Sequence, residues 1–156
     1  MTIEDDIAFF DRVPTLNLLG RAALRILAIG AESRYVHGGE VLFHAGDPAD
    51  GGYVVQEGSF ELKPHDADGA GREVVAGPGT LLGELALLTE TMRPATATAL
   101  EPSTVIRISR SLFLKMLEGY PDAARRLRDS MAARTDQWTR EIQNVRHSLD
   151  PGKQAG

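Results

Sequence analysis

Cysteine is absent from this chain of 156 residues. Disulfides, thiolate-bound metals and cysteine-ligated iron–sulfur clusters are therefore excluded. The sequence also has no run that approaches the ~20 apolar residues of a membrane span. Residues 1–6 are acidic and do not resemble a secretion signal. These absences predict a cytoplasmic protein that has no membrane partner.

An excess of positive charge is also lacking, because the formal net charge is −5. The chain therefore has no general electrostatic attraction for nucleic acid or anionic lipid. Catalytic patterns are missing too: the four histidines are scattered along the chain, and no serine has the context of a nucleophile elbow. We therefore expect no enzymatic activity, no catalytic residue, no metal site and no cofactor.

Apolar residues make up 42% of the chain, which is enough for one domain with a hydrophobic core. Residues 3–30 are predicted to be helical, because their apolar side chains recur at helical spacing. Residues 34–108 are predicted to form β-structure, and residues 109–147 to form further helices. Residues 1–147 would then make up one domain, followed by a flexible tail at 148–156.

The middle of the chain contains eight short runs of β-prone residues, separated by turns rich in glycine, proline and aspartate. The runs are 34–36, 41–43, 53–55, 60–62, 73–75, 81–82, 95–99 and 104–108. Short strands at this spacing are typical of a compact antiparallel barrel or roll. The predicted fold is therefore mainly β with flanking helices (α+β). It is an eight-stranded, jelly-roll-like antiparallel β-roll with N-terminal helices and a C-terminal helical arm.

The end of the chain predicts two helices. Ser109 is expected to cap the first, Gly119 to end it, and Pro121 to open the second, which would continue to about His147. An apolar stripe at helical spacing runs along the second helix, through Leu127, Met131, Trp138, Ile142 and Val145. Two interpretations remain open: the stripe folds back over a ligand, or it pairs with a second copy of the chain.

One stretch suggests chemistry: residues 82–88 (LGELALL), followed by residues 93–99 (RPATATA). A glycine lets the backbone approach a ligand closely, and a short helix after it would direct free N–H groups at an anion. An arginine can grip phosphate oxygens in a planar fork, and a glutamate can accept a hydrogen bond from a sugar hydroxyl. Each residue alone is more typical of an ordinary turn. Together they indicate a site for a sugar phosphate ester.

This stretch resembles the phosphate-binding cassette of cyclic nucleotide-binding domains, through GELAL at residues 83–87 and R-x-A-T at residues 93–96. Such domains occur in catabolite-activator-type regulators, in regulatory subunits of cyclic-AMP-dependent protein kinase and in cyclic-nucleotide-gated channels. Residues 39–49 and 53–58 are similar to the first signature of the same family. The resemblance spans roughly residues 10–140 and implies a β-roll that binds a 3′,5′-cyclic nucleotide.

The resemblance implies a role for each matching residue. Glu84 would accept from the ribose 2′-hydroxyl, Arg93 would pair with the phosphate, and Leu85 and Ala86 would offer backbone N–H groups to it. Further candidates open, line or cover the pocket: Gly83, Ala95, Val74, Leu82 and, by stacking on the base, Trp138. Pro94 departs from the family pattern of a small or hydroxylated residue. It removes one N–H donor, and its lack of a hydroxyl slightly favours cyclic AMP over cyclic GMP.

The resemblance implies a non-catalytic sensor domain that relays ligand binding through its C-terminal helices to a dimer or partner surface. We expect a homodimer through the long helix, or contact with an unidentified protein. Activator-type regulators carry a helix-turn-helix module after this helix, whereas only 18 residues follow Trp138, so we expect no direct DNA binding. The alternative is a degenerate pocket, in which the roll is a ligand-free dimerisation or protein-interaction module.

Overall fold

The computed structural model describes residues 2–64 and 74–134. Its helices are α1 (Ile3–Phe10), α2 (Arg21–Gly30) and α3 (Arg110–Gly119), with a 3-10 turn at Leu16–Leu18 between the first two. A fourth helix, α4, begins at residue 121 and continues to residue 134, where the described part of the chain ends. Helices therefore flank the β-structure at both ends, as predicted.

Among the described residues, ten strands lie between α2 and α3. They are β1 (Glu32–Val36), β2 (Val41–Phe43), β3 (Pro48–Ala49), β4 (Gly51–Glu57), β5 (Phe60–Pro64), β6 (Val74–Ala76), β7 (Leu81–Leu82), β8 (Thr91–Met92), β9 (Ala95–Ala99) and β10 (Ser103–Ser109). One sheet has the order β1-β10-β4-β7, a second has the order β2-β9-β5-β6, and β3 pairs with β8. Every pairing is antiparallel, which confirms the predicted fold class.

The strand count is ten rather than eight, and the two additional strands are β3 and β8. Each has only two residues, and neither is a run of β-prone apolar side chains: β3 is Pro-Ala, next to a predicted turn, and β8 is Thr-Met. The pair they form lies next to Arg93, whose backbone N–H donates to the carbonyl of Asp47 at 2.8 Å. This small ribbon therefore fixes the chain at the residue on which the predicted site depends.

Two threonines shape the N-terminal helical region. The Thr2 hydroxyl accepts from the N–H of Asp5, and the Thr2 N–H donates to the Asp5 carboxylate at 3.1 Å, so a capping box starts α1. The hydrogen bond that the Thr2 backbone N–H donates to the Asp5 carboxylate, and after it hydrogen bonding with the Thr2 side chain, lower the pKa of the Asp5 carboxyl. Thr15, with a φ of 77°, then turns the chain into the 3-10 turn.

The C-terminal helices begin where the sequence predicts. The hydroxyl of Ser109 accepts a backbone N–H at 3.2 Å and caps α3, which ends at Gly119. Helix α4 opens at Pro121, a first-turn position at which a missing N–H has no consequence. Arg126 of α4 donates to the carbonyl of Leu19 at 3.0 Å. This contact ties the start of α4 to the N-terminal helices.

Two apolar clusters make up the core. The helical cluster packs the four helices against one face of the first sheet; its members include Phe10, Leu24, Ile108 and Phe113. The roll cluster lies between the two four-stranded sheets and includes Val36, Val55, Phe60 and Val105. Leu87, from the predicted cassette, is fully buried in the helical cluster. The cassette and the C-terminal helices therefore share one core.

Part of the predicted helical stripe packs inside the chain. Leu127 is 2% exposed and belongs to the helical cluster, and Met131 packs against it. Trp138, the continuation of α4 to residue 147 and the tail at 148–156 lie outside the described residues. Their predicted structure, and the single domain at 1–147, stay predictions. Among the described residues, no helix has the length and apolar character needed to cross a membrane.

Candidate ligand-binding site

The predicted cassette surrounds a cavity of about 410 Å³, within the range of roughly 300–1,000 Å³ that is typical of small-ligand sites. Eight of the ten predicted binding residues line it: Leu82, Gly83, Glu84, Leu85, Ala86, Arg93, Pro94 and Ala95. Val74, the first residue of the edge strand β6, is not among the lining residues. Trp138 lies outside the described residues.

Arg93 is buried without a complete set of partners. Its side chain lines the cavity and is only 5% exposed, and its Nη1 atom has no hydrogen-bond partner in the described part of the chain. Its backbone, in contrast, is fixed, because its carbonyl accepts from the N–H of Gly46 at 2.8 Å. Leaving a buried donor unsatisfied costs about 1–3 kcal/mol, and more when it is charged. The fold therefore presents a desolvated cation to the cavity.

Two aromatic rings that sequence reasoning missed support this cation. The guanidinium carbon of Arg93 lies 4.4 Å from the ring centroid of Phe43 and 5.5 Å from that of Tyr53. Desolvated cation–π contacts contribute about 2 kcal/mol. Burial nevertheless lowers the pKa of Arg93, against the opposing effects of Tyr53 and Asp50. The two rings therefore support the buried cation without pairing its N–H donors.

Gly83 makes room for the guanidinium. Its φ of +88° lies in the left-handed region that favours glycine. A Cβ atom at this position would lie 2.5 Å from Nη1 of Arg93 and 3.2 Å from the carbonyl oxygen of Gly51. Any side chain here would therefore displace Arg93. The observed position of the Arg93 side chain therefore requires glycine at position 83.

The cassette between them folds as a 3-10 turn at Leu85–Leu87. Within the turn, the N–H of Ala86 donates to the carbonyl of Gly83 at 3.1 Å. The N–H of Leu85 takes part in none of the backbone bonds of the turn, as expected at the start of a helical turn. The predicted phosphate contact of Leu85 is therefore compatible with this conformation, whereas that of Ala86 requires the turn to rearrange.

Glu84, the predicted sugar acceptor, is joined to helix α4. Its Oε1 atom accepts from Nη2 of Arg134 at 2.6 Å, and this hydrogen bond raises the pKa of Arg134. The two side chains are 33% and 52% exposed, so the ion pair contributes only about 0–1 kcal/mol. A contact this weak can be exchanged for another. Sequence reasoning did not identify Arg134, because it lies 50 residues from Glu84.

Pro94 lies in the cavity wall, directly before the first residue of β9. Ala95 is the first residue of β9 and pairs with Pro64 of β5. The next residue, Thr96, accepts the N–H of Ala45 at 2.9 Å. Pro94 therefore sits between two fixed elements, and it supplies wall area but no hydrogen-bond donor.

A second arginine, Arg110, lies against the same cassette and was also missed. Its Nη1 atom lies 3.0 Å from the carbonyl oxygen of Ala49, 3.3 Å from that of Ala86 and 3.0 Å from that of Thr89. These partners are 61, 24 and 21 residues away in sequence. No local pattern could therefore have pointed to Arg110.

The match to a known family includes these elements. The family model described as "Cyclic nucleotide-binding domain" matches residues 33–120. The chain belongs to this family. The matched range begins at the second residue of β1 and contains the other nine described strands, the cassette and α3.

Solved cyclic nucleotide-binding domains and regulators share the fold. The N-terminal domain of a transcriptional regulator from Streptomyces coelicolor A3(2) is 31% identical with a TM-score of 0.76, and the match covers 86% of this chain and 94% of that one. The regulatory domain of Toxoplasma gondii PKA, solved with cAMP, is 27% identical with a TM-score of 0.66. That match covers 73% of this chain and 44% of the other.

Curated relatives match this chain over only a small part of their own length. Lysophospholipase NTE1 from Chaetomium globosum is 34% identical over 120 residues, which are 76% of this chain and 8% of that enzyme. This chain spans between 7% and 23% of the length of the first curated relatives that it matches. The similarity therefore does not assign their activity to this chain. Within residues 2–64 and 74–134, no three His, Asp or Glu side chains form a group that could hold a metal ion.

Proposed function

We propose that this chain is a non-catalytic sensor domain that binds a 3′,5′-cyclic nucleotide in the cassette cavity. The observation that carries the proposal is Arg93, which lines the cavity, is 5% exposed and has an Nη1 without a partner in the described chain. A cyclic phosphate diester brings one negative charge and the acceptor oxygens that this donor lacks. Because Arg93 is desolvated before the ligand arrives, binding gains a charged hydrogen bond of about 1.5–3 kcal/mol.

The remaining walls suit the other parts of a nucleotide. Glu84 has a second carboxylate oxygen beside the one that binds Arg134, and this oxygen can accept a ribose hydroxyl. The apolar side chains of Leu82, Leu85 and Met92 line the same cavity. Leu85 and Met92 are 53% and 66% exposed, so burial against a sugar or base would remove apolar surface from water.

Cyclic AMP is slightly favoured over cyclic GMP. Pro94 follows Arg93 in the cavity wall and offers neither a hydroxyl nor an N–H to the ligand. The similarity to a PKA regulatory domain solved with cAMP also supports this preference.

Ligand binding is relayed through Glu84 to the C-terminal helices. A ligand shifts only those states that it binds differently, and a ribose hydroxyl on Glu84 changes the carboxylate to which Arg134 is bonded. Because Arg126 holds the start of α4 on Leu19, the end of α4 is the part that responds. The proposed output is a homodimer or partner surface on the predicted continuation of α4, which includes Trp138. The absence of direct DNA binding stays a prediction.

Calorimetric titration of the full chain with cyclic AMP and cyclic GMP tests the proposal, with 5′-AMP as the control for the cyclic phosphate. We expect saturable binding in the order cyclic AMP, cyclic GMP, 5′-AMP. Light scattering with and without ligand tests the dimer in the same samples. A folded chain that binds neither cyclic nucleotide would contradict the proposal. It would instead favour the ligand-free interaction module, which the missing donor at Pro94 and the internal bond of Ala86 support.

A further inference from the structure

Helix α3 and the cassette meet through an apolar and a polar contact. Leu87 of the cassette belongs to the same buried cluster as Phe113 and Met116 of α3. The polar contact is made by Arg110, the first residue of α3. Its backbone N–H also donates to the carbonyl of Asp50 at 2.7 Å. Arg110 therefore belongs to the helix by its backbone and to the cassette by its side chain.

Arg110 binds the cassette through carbonyl groups alone. Its Nη1 lies 3.3 Å from the carbonyl oxygen of Ala86 and 3.0 Å from that of Thr89, at the end of the 3-10 turn. None of the ion pairs among the described residues includes Arg110. Carbonyl groups at the end of a helical turn carry partial negative charge, so the backbone of the cassette compensates this cation.

Ala86 links this contact to the ligand cavity. It lines the cavity, its N–H donates to the carbonyl of Gly83 at 3.1 Å, and its own carbonyl accepts from Arg110. The N–H and the carbonyl of one residue are connected through only two soft dihedral angles. A rotation that frees the N–H of Ala86 for a phosphate therefore also moves the carbonyl that Arg110 holds.

We propose that Arg110 is a positioning residue that couples phosphate binding in the cassette to movement of helix α3. This inference rests on the proposed function. When a phosphate draws the N–H of Ala86 away from Gly83, the Ala86 carbonyl shifts, and Arg110 transmits the shift to the first turn of α3. This coupling reaches helix α3, and it is separate from the contact between Glu84 and Arg134, which reaches helix α4.

Hydrogen exchange of the full chain tests the coupling in two variants, each with and without saturating cyclic AMP. Arg110→Met removes the guanidinium but keeps an apolar stem of similar shape. Arg107→Met is the matched control, because Arg107 donates to the Asp50 carboxylate at 2.7 Å and has no recorded bond to a cassette carbonyl. The amides of Val54 and Ile106, in the buried sheet, report any global loss of stability.

The deciding measurement is the change in amide hydrogen exchange that cyclic AMP causes. In the wild type, cyclic AMP should change exchange at residues 110–114, the first turn of α3. In Arg110→Met this change should fall by roughly threefold or more, while cyclic AMP still binds within about tenfold of the wild-type Kd, since a decade corresponds to 1.4 kcal/mol. Arg107→Met should keep the full change. An undiminished change in Arg110→Met would overturn the proposal.

Exchange without nucleotide separates this proposal from the proposed function. Arg110→Met should raise exchange at residues 86–89 and at residues 110–114 together, by roughly threefold or more, because both elements lose their shared bonds. Arg107→Met should leave exchange at residues 86–89 unchanged, because its partner Asp50 contacts the backbone of Arg110 but is not bonded to the cassette by Arg107. If the wild type binds neither nucleotide, the proposed function fails, and the joint rise alone upholds Arg110 as the link between the elements. A rise confined to one element would overturn that link.

Discussion

The cassette has two sides, and each side has an arginine whose hydrogen bonds are met in a different way. On the helix side, Arg110 donates to three backbone carbonyls. On the cavity side, Arg93 is 5% exposed and its Nη1 has no partner in the described chain. Desolvating one ion costs several kcal/mol, of which cation–π contacts return about 2 kcal/mol. The fold therefore pairs Nη1 of Arg110 with its own backbone and leaves Nη1 of Arg93 unpaired, which is the donor that a ligand would bind in the proposed function.

Replacing Arg93 with methionine should have the largest effect and tests the difference between Arg93 and Arg110 most directly. The affinity for cyclic AMP should fall by at least roughly tenfold, because the phosphate loses a charged hydrogen bond of about 1.5–3 kcal/mol. The melting temperature should stay the same or rise, because a buried and uncompensated charge is removed. Calorimetry and thermal denaturation measure the two effects.

Arg110→Met is the control for the opposite arginine. It should lower the free energy of unfolding by about 1 kcal/mol or more, because two part-buried carbonyls and one exposed carbonyl lose their donor. If Arg93→Met were the less stable variant, or if it bound cyclic AMP as tightly as the wild type, the distinction between the two arginines would be wrong.

Gly83→Ala should have an intermediate effect on the affinity for cyclic AMP, and Gly79→Ala is its matched control. Both glycines have φ near +88°, at +88° and +89°, so both variants should lose about 1–2 kcal/mol of stability from the strained backbone. Only at Gly83 would the new Cβ meet the guanidinium, at 2.5 Å; at Gly79 no atom lies within 4 Å. The affinity for cyclic AMP should therefore fall several-fold in Gly83→Ala alone. Equal affinities in the two variants would contradict the coupling of Gly83 to Arg93.

Pro94→Ala and Pro94→Ser should have the smallest effect. Either change restores a backbone N–H beside Arg93, so calorimetry should give an unchanged or tighter Kd for cyclic AMP. The serine variant also adds a hydroxyl, and its ratio of cyclic GMP to cyclic AMP affinity should rise. A clear loss of binding in both variants would show that the proline ring itself is needed to place Arg93.

The sequence predicted the parts of this molecule that depend on local patterns. Eight strands of the roll, the cap at Ser109 and the cluster of cassette residues around one cavity follow from β-prone runs between turns, capping chemistry and a motif. The strands β3 and β8 were missed because neither Pro48–Ala49 nor Thr91–Met92 is a run of β-prone apolar residues. Val74 was assigned to the pocket through the family resemblance, but it lies on the edge strand β6 and is not among the residues that line the cavity.

Long-range contacts could not be predicted from the sequence. Phe43 and Tyr53 were assigned to strands, but nothing local indicates that both rings lie against Arg93. Arg134 reaches Glu84 across 50 residues, and Arg110 reaches Ala49 across 61. Such pairings depend on how the sheets and helices pack. A motif can therefore identify the cassette residues that face a ligand, but not the side chains that support them.

The uncompensated burial of Arg93 also has an evolutionary consequence. A copy of this domain that no longer met its ligand would lose nothing by replacing Arg93, and it would gain stability from an apolar side chain there. The same copy would still need Arg110, because Arg110 donates to two carbonyls of the cassette backbone. Such a copy would therefore lose the arginine of the proposed ligand site before it lost the arginine that stabilises the fold. An arginine that still occupies position 93 is what continued selection for an anionic ligand would maintain.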